Sequence, residues 1–453
     1  MGEITSLDYI LLPFYLFLIY RIAYYFRNKY YPQGHPYRSY LIPGLTAKIA
    51  GAIFIGLIYN YYYAGGDSLN FFYHSKIINS TFTKSFGSWI RLITHHANTD
   101  NLIDGQAVAD MYWYDDIPSY TTACLGAFIG IFCFTKYLII NVIISSITFI
   151  GIWLMFLTFA TQYDKLIKPI AIAILLMPGP IVWGSGLFKD SFCMFSVGCL
   201  VYCFHTLFEK RTIKLVLILL VSVSIILLIL IKAYILVVLL PVLLLKTILI
   251  YQKKAALQPE KKMVFYIILA VFAFAAFIIF RKIAIYLSSF TMDNLLLEVV
   301  KQKDYLLRVS IDQDGAAYNL GDFDPTLAGI INKILPAINV TLFRPYPWEA
   351  KSIIQFFNSI ESTGVLLLTL YLILKRNIFN TITNIYKDPN LIMCLFFTLI
   401  FAFFVGISSY NFGSLSRYKI PCTPFYMLFL MVLIFNKDEK KLPENFSEPD
   451  PLL

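Results

Sequence analysis

Long apolar runs recur along most of the chain and are separated by shorter polar stretches. A run of about 20 apolar residues is long enough to cross the hydrocarbon part of a bilayer as a helix. The pattern predicts helices near 8–26, 39–63, 117–134, 137–160, 169–188, 190–208, 213–231, 233–251, 263–280, 351–374, 390–409 and 420–435. We therefore expect an all-α polytopic integral membrane protein with about 10–12 transmembrane helices.

The composition indicates the same class. Of the 453 residues, 58% are hydrophobic and 14% are charged, whereas soluble domains carry about 25% charged residues. We expect a single membrane domain over 1–435, followed by a polar cytoplasmic tail over 436–453. The first apolar run ends in Arg27 and Lys29 without a small-residue cleavage site, which predicts a retained anchor and not a signal peptide.

Short clusters of cations between the apolar runs explain the net charge of +10. Such clusters are typical of cytoplasmic loops, so we expect no nucleic-acid partner. The positive-inside rule assigns these groups to the cytoplasm: Arg27/Lys29/Arg38, Lys210/Arg211/Lys214, Lys253/Lys254/Lys261/Lys262 and Lys375/Arg376/Lys387. Two long loops, about 64–116 and 281–350, are then external.

This topology contains one conflict. An odd number of crossings must separate the first external loop from the cluster at Lys210, yet four apolar runs lie between them. One explanation is that 169–188 is re-entrant, because Pro178-Gly179-Pro180 would break a helix there. The other explanation is a miscounted hairpin at 117–160.

The spacing of the cysteines and the absence of several common enzyme motifs exclude some classes of function. Nearly all seven cysteines lie inside apolar runs, and they form no C-x-x-C pair, so we interpret them as small core residues. The chain also lacks the Walker A, G-x-S-x-G and H-E-x-x-H motifs. The chemistry that those motifs support is therefore not expected.

The first candidate site is Asp67, which follows Gly65 and Gly66 just beyond a predicted helix. The two glycines allow a sharp turn, so the carboxylate is expected at the membrane surface. There it would serve as a general base, or hold a divalent cation that binds a phosphate. The alternative interpretation is an ordinary helix cap.

The second candidate is the pair Lys189 and Asp190, which interrupts a long apolar stretch. An ionisable side chain at mid-bilayer costs about 2.5–3.5 kcal/mol and usually has a function. Asp190 is also placed to cap the helix that begins at Ser191. A tight interhelical turn, with Lys189 extending toward the interface, is the structural alternative.

Two further candidates lie in external segments. Arg417 and Lys419 precede the last helix, where the positive-inside rule does not explain cations, so we expect them to bind an anion such as phosphate or to anchor headgroups. Arg344, Trp348 and Glu349 lie on a proline-stiffened segment. Aromatic and polar side chains of this kind suit a sugar ring, and they equally suit the membrane interface.

The predicted topology places these acids and cations on one external face. Such a set suits sugar transfer from a lipid-linked phosphate donor, because a carboxylate deprotonates the acceptor hydroxyl and cations stabilise the departing phosphate. At these places the sequence resembles polytopic glycosyltransferases of the GT-C superfamily and related bacterial polysaccharide polymerases. The resemblance implies that Asp67 matches the acid of the first external loop, Lys189-Asp190 the second acidic motif and Arg417 the phosphate-binding cation. In the polymerases, arginines of large external loops dominate, which Arg344 and Arg417 would supply.

We therefore expect a glycosyltransferase or glycan polymerase that uses a polyisoprenyl-phosphate-linked sugar donor and a saccharide or lipid acceptor, at the external face of a bacterial-type inner membrane. The expected catalytic residues are Asp67 and Asp190, and the expected substrate-binding residues are Lys189, Arg344, Trp348, Glu349, Arg417 and Lys419. No cofactor is required by the pattern, and a divalent cation, Mg²⁺ or Mn²⁺, on the two aspartates is left open. The alternatives are a transporter or flippase of a lipid-linked saccharide and a non-catalytic subunit of an envelope complex.

Overall fold

The computed structural model describes residues 3–255, 308, 317–321, 329 and 331–436. Regular structure in this part of the chain is helical, apart from an isolated bridge between Ala317 and Asn411. Seven of its helices are long and apolar enough to cross a bilayer, and a pair bent by 67° over 412–435 provides an eighth if it counts as one span. The chain is therefore an all-helical, multi-pass integral membrane protein.

Contacts divide the described residues into two units, and the first comprises 3–203 and 214–233. Its helices are α1 (Ser6–Tyr30), α2 (Arg38–Leu57), α3 (Asp67–Ser80), α4 (Phe86–Ile93), α5 (Leu102–Ala109), α6 (Ile117–Ile131), α7 (Tyr137–Ala160), α8 (Ile167–Leu175), α9 (Pro178–Trp183) and α10 (Lys189–Phe204). Helix α11 (Leu215–Ala255) follows, and its residues from 234 onward belong to the second unit.

The buried carboxylate of Asp8 connects α1 to α7. Its Oδ2 accepts hydrogen bonds from the backbone N–H and the hydroxyl of Thr5, at 2.9 and 2.7 Å, which caps the first turn of α1. Its Oδ1 accepts the backbone N–H of Leu138 at 3.0 Å. That N–H lies in the first turn of α7, where backbone donors have no intrahelical partner. One side chain therefore caps two helices that are far apart in sequence.

Two glycines bring α7 and α10 into backbone contact. A Cβ atom added at Gly198 would overlap the carbonyl oxygen of Gly151, and one added at Gly151 would overlap the backbone of Phe195. Small residues at such crossings are typical of membrane helices, whose association depends on close packing. The pair α7 and α10 therefore forms a tight interface inside the first unit.

The segment predicted as the first external loop is folded into helices α3, α4 and α5, which pack on α6. Trp89 and Leu92 of α4 are buried against α6, and the Tyr120 hydroxyl donates to the Leu92 carbonyl at 2.8 Å. Arg91 donates to both carboxylate oxygens of Asp104, at 2.7 and 3.0 Å, and these hydrogen bonds lower the pKa of Asp104 to about 2. The segment between the predicted spans is therefore helical, and its external position stays a prediction.

One predicted span has a different form in the structure, and two later ones meet at a kink. The apolar run 169–188 contains α8 and α9, which are separated at Leu176 and Met177, and neither is long enough to cross a bilayer. The runs 213–231 and 233–251 form α11, which consists of two helical segments joined by a kink at Lys232, whose torsions are non-helical (φ −149°, ψ 73°). The break that Pro178 predicts and the division of the two later runs at Lys232 are both confirmed.

Helix α6 also bears on the predicted topology. It has 15 residues, which corresponds to about 22 Å at 1.5 Å per residue, less than the hydrocarbon thickness of about 30 Å. Both explanations of the odd crossing number therefore remain open. The predicted helix 263–280 lies outside the described residues, as does the predicted tail except for Asn436.

The second unit comprises 204–213, 234–255 and the described residues from 308 to 436. Besides its part of α11, its helices are α12 (Ile334–Phe343), α13 (Ile353–Lys375), α14 (Ile378–Lys387), α15 (Pro389–Ser409), α16 (Phe412–Tyr418) and α17 (Thr423–Phe435). Helices α12 and α15 touch closely, since the Thr341 hydroxyl donates to the Ala402 carbonyl at 2.7 Å and Gly406 lies against the Ala337 carbonyl. Of the second predicted external loop, only 308, 317–321, 329 and 331–350 are described.

Candidate functional site in the first unit

A buried, non-helical stretch over 184–188 leads into Lys189 and Asp190. The Gly186 N–H donates to the Ser145 hydroxyl, and the Leu187 N–H donates to Oδ1 of Asn141, both at 2.7 Å. Gly186 has a φ of +80°, a conformation that glycine adopts without strain. Irregular backbone inside a membrane domain needs such protein partners, because lipid offers none. Polar groups of α7 therefore hold this turn in place.

Asp190 forms a buried ion pair with Lys232. The ammonium nitrogen of Lys232 is 2.5 Å from Oδ1 of Asp190, and the two side chains are 8% and 0% exposed. Lys232 is also the residue at which α11 departs from helical geometry. A buried ion pair is weak evidence for stability, because desolvation costs about as much as the pairing returns. Within a membrane domain the pair indicates a functional site.

Two more lysines lie near this pair. Lys48 of α2 is buried, its ammonium donates to the Gly184 carbonyl oxygen, and it lies within electrostatic range of Asp190. The Lys189 ammonium is 3.6 Å from Oδ2 of Asp116 and 5.7 Å from the centre of the Phe71 ring. We call Lys48, Lys189 and Lys232, with Asp116 and Asp190, the lysine cluster; its formal charges sum to +1. It suits a bound anion.

Asp67 lies close to this cluster through aromatic contacts. It begins α3 directly after Gly66, whose φ of +101° forms the turn predicted from the sequence. A Cβ at Gly66 would meet the Tyr59 ring, and that ring packs against Phe188 at a centroid distance of 5.2 Å. The Asp67 backbone is therefore one aromatic residue away from the turn that carries Lys189.

An aromatic group joins α3, the helix that Asp67 begins, to the segment between α5 and α6. The rings of Tyr73 and Tyr112 are nearly parallel, with centroids 6.4 Å apart and an angle of 20°, and both side chains are exposed. His74 is fully buried beneath them, 4.6 Å from Tyr112 and 5.6 Å from Trp113, and this burial lowers its pKa to about 4. Exposed ring faces beside a carboxylate suit a saccharide.

The remaining predicted site residues belong to the second unit. Arg344 binds Glu349, with its Nε 3.0 and 3.1 Å from the two carboxylate oxygens. Lys419 is buried and donates to the Ser362 hydroxyl at 2.7 Å and to the Arg344 carbonyl at 3.3 Å. Trp348 is 80% exposed. The structure therefore brings Arg344, Glu349 and Lys419 together.

A small cavity borders Lys419. It is lined by Glu361, Ser362 and Tyr426, among others, and it has room for about one water molecule. Arg417 lies on α16, two residues before Lys419. Because the two groups of predicted site residues lie in different units, a common external face for both stays a prediction.

Sequence reasoning missed Lys48, Lys232, Asn141 and Asp116. Each of the two lysines had a signal, since it is a lone cation inside an otherwise apolar run. Asn141 had none, because a polar residue near the start of a helix is common. Among the described residues, no three His, Cys, Asp or Glu side chains converge to hold a metal ion.

The chain matches no family model, and neither a characterised protein sequence nor a solved structure is significantly similar to it.

Proposed function

We propose that this chain is a membrane glycosyltransferase or glycan polymerase that uses a polyisoprenyl-phosphate-linked sugar donor at the external face of a bacterial-type inner membrane. The observation that carries the proposal is the lysine cluster, in which the Lys189 ammonium lies 5.7 Å from the ring of Phe71 on α3, the helix that Asp67 begins. Cations inside a membrane domain attract a lipid phosphate, and in a site of low dielectric they stabilise the charge that develops as the phosphate leaves.

Each group has a role in this proposal. Lys189, whose side chain is 22% exposed, contacts the donor phosphate, while the buried Lys48 and Lys232 add positive potential behind it. Asp190 offsets one of these charges and orients Lys232. Asp67 removes the proton from the acceptor hydroxyl, and the paired rings of Tyr73 and Tyr112 hold the acceptor sugar.

The second unit carries its own candidate contacts for a lipid-linked saccharide. Arg417 and Lys419 are the candidate cations for a phosphate group, and the exposed Trp348 offers a ring face to a sugar. Arg344 is engaged by Glu349, so we assign this pair to hold the segment around Trp348 rather than to bind the donor directly.

A specific observation favours a second candidate, a flippase or transporter of lipid-linked saccharide. Helices α8 and α9 are a broken pair, and α11 departs from helical geometry at a charged residue. Discontinuous helices with charged side chains are typical of transport pathways. The same lysine cluster would then bind the phosphate during translocation.

Transfer assayed in detergent micelles separates the two candidates. Micelles have no two sides, so a glycosyltransferase remains active in them, whereas a flippase has no measurable product. We expect purified full-length protein, supplied with a lipid extract of the native host, to elongate or consume lipid-linked saccharides detected by mass spectrometry. Asp67→Asn and Lys189→Gln should each lower the turnover at least about tenfold, which corresponds to about 1.4 kcal/mol of barrier.

Lys84→Gln is the matched control, because Lys84 is an exposed cation of the same unit outside the lysine cluster. A deletion strain of the host completes the test. If the deletion leaves every lipid-linked saccharide and envelope glycan unchanged, both candidates are wrong and a non-catalytic subunit is favoured. If the donor accumulates in the deletion strain but the purified protein is inactive in micelles, the flippase is favoured.

A further inference from the structure

Helix α14 is a short amphipathic helix between two candidate spans. It follows α13 and precedes α15, and none of its ten residues is buried. Four of its five large apolar side chains are exposed, namely Ile378, Phe379, Ile382 and Tyr386, and the fifth, Ile385, is half-buried. At 100° per residue these four positions fall within an arc of about 100°, so they form one stripe. A helix of this kind lies in the membrane interface with its apolar stripe toward the acyl chains.

Cations border this helix at both ends. Lys375 and Arg376 precede it, Lys387 ends it, and Asp388 is the neighbouring acid. These four residues sum to a formal charge of +2. Positive residues at a cytoplasmic membrane surface attract anionic lipids, at about 1 kcal/mol for each cation. Charge alone, however, attracts lipid without creating a site.

Two of these cations, Lys375 and Arg376, line a groove that is large enough to hold a ligand. It has a volume of about 390 Å³ and is lined by Tyr371, Leu372, Lys375, Arg376 and Ile434. Its size lies in the range of small-molecule sites, about 300–1,000 Å³. Lys375 and Arg376 lie at the end of α13, and Tyr371 and Leu372 lie one turn earlier, within the candidate span. Cations at a helix end and apolar side chains within the span match the order of headgroup and acyl chain in a phospholipid.

Arg376 is fixed in this groove. One of its terminal nitrogens donates to the carbonyl oxygens of Ile434 and Asn436, at 3.2 and 2.9 Å, where α17 ends. The two hydrogen bonds use one terminal nitrogen of the guanidinium, which has five N–H donors in all. Its other nitrogens are suited to bind a phosphate. The Lys375 side chain is exposed beside it.

We propose that this groove binds the phosphate of an anionic phospholipid of the surrounding bilayer, with Lys375 and Arg376 as its ligands and α14 lying beside it in the interface. The occupant is a bilayer lipid and not a free phosphate, because the cations continue into an apolar groove and an apolar helix face. The site is independent of the glycan chemistry proposed above.

Native mass spectrometry of the full-length protein in detergent tests the site. The probes are dioctanoyl-phosphatidylglycerol, which is anionic, and dioctanoyl-phosphatidylcholine, which is zwitterionic. We expect one phosphatidylglycerol to bind in clear preference to phosphatidylcholine. The double variant Lys375→Gln/Arg376→Gln should weaken that binding on the order of thirtyfold, while Lys84→Gln/Lys168→Gln, which removes two exposed cations elsewhere, should not.

Three results would overturn the proposal. The first is unchanged phosphatidylglycerol binding by the Lys375→Gln/Arg376→Gln variant. The second is displacement of the lipid by glycerol phosphate at equal concentration, which would indicate a free-anion site. The third is a large gain in lipid binding by a chain that ends at Asn436, which would make the acidic residues that follow it the native occupant. Lys375→Gln alone, which leaves the Arg376 anchor intact, keeps the test valid if the double variant does not fold.

Discussion

At the scale of single residues, partners in this protein are not sequence neighbours. Lys189 and Asp190 are adjacent and were predicted as one functional pair, but adjacent positions on a helix do not face each other. In the structure Asp190 pairs with Lys232 and Lys189 lies near Asp116. The sequence therefore indicated which residues are unusual in a membrane domain, while the identity of their partners depended on helix packing that hydropathy does not contain.

His74 makes the stability of the first unit depend on pH. An exposed histidine takes up a proton near pH 6.5, whereas burial among Tyr73, Tyr112 and Trp113 lowers the pKa of His74 to about 4. Between these values the unfolded state binds more protons, so lowering the pH from 6.5 to 4 destabilises the fold, by at most about 3 kcal/mol. We expect His74→Phe to remove this loss.

The measurement is the apparent Tm in detergent at pH 7.5, 6 and 5. The Tm of His74→Phe relative to the unmodified protein should rise as the pH falls. His96→Phe, at an exposed histidine, is the control and should keep the original pH dependence. Asp104, with a pKa of about 2, titrates below this range and does not contribute. A constant Tm difference at all three pH values would contradict the prediction.

At the scale of elements, apolar runs predicted helices, and the residues that interrupt those runs predicted their breaks. The run 137–160 matches α7 at both ends, since lysine and threonine bound an unbroken apolar stretch. Proline marked the break between α8 and α9, because it removes a backbone donor. Lys232, a lone cation between the runs 213–231 and 233–251, marked the kink in α11. The sequence did not show that the two segments meet without a loop, because a single lysine gives the same signal in a loop and in a kinked helix.

The contact of α7 with α10 should be sensitive to small changes. Gly198→Val adds a side chain where its Cβ would overlap the Gly151 carbonyl, so the two helices must move apart. Overpacking of this kind typically costs about 1–3 kcal/mol. We expect a clearly lower apparent Tm in detergent. Gly364→Val on α13 is the control, because no atom lies within 4 Å of an added Cβ there, and it should change the Tm little.

At the scale of the whole molecule, hydropathy established the class of protein but not the number of spans. Twelve runs were counted, and the described residues contain seven candidate spans, or eight with the bent pair α16 and α17. Part of the difference comes from α6, α8 and α9, which are apolar but short. Apolar sequence shows that a segment avoids water, and it does not distinguish lipid from a protein interior.

The predicted topology places Lys84 on the external side of the membrane and Lys387 on the cytoplasmic side. All seven cysteines are buried, so single cysteines placed on the surface should react selectively with a membrane-impermeant maleimide. We expect Lys84→Cys to be labelled in intact cells and Lys387→Cys only after the membrane is opened. Labelling of both from the same side would contradict the charge-based topology, and with it the external position of Asp67.

The double cap made by Asp8 has a consequence for the order in which the protein is built. The Leu138 N–H that Asp8 binds is made 130 residues later. At about 5–20 residues per second, the ribosome needs roughly 6–26 s to supply it. During that interval α1 lacks the hydrogen bond that joins it to α7, whereas its contact with α2 through the Tyr20 and Thr46 hydroxyls, 2.8 Å apart, can already form. The cap that Asp8 places on α7 is therefore among the last contacts of α1 to be completed.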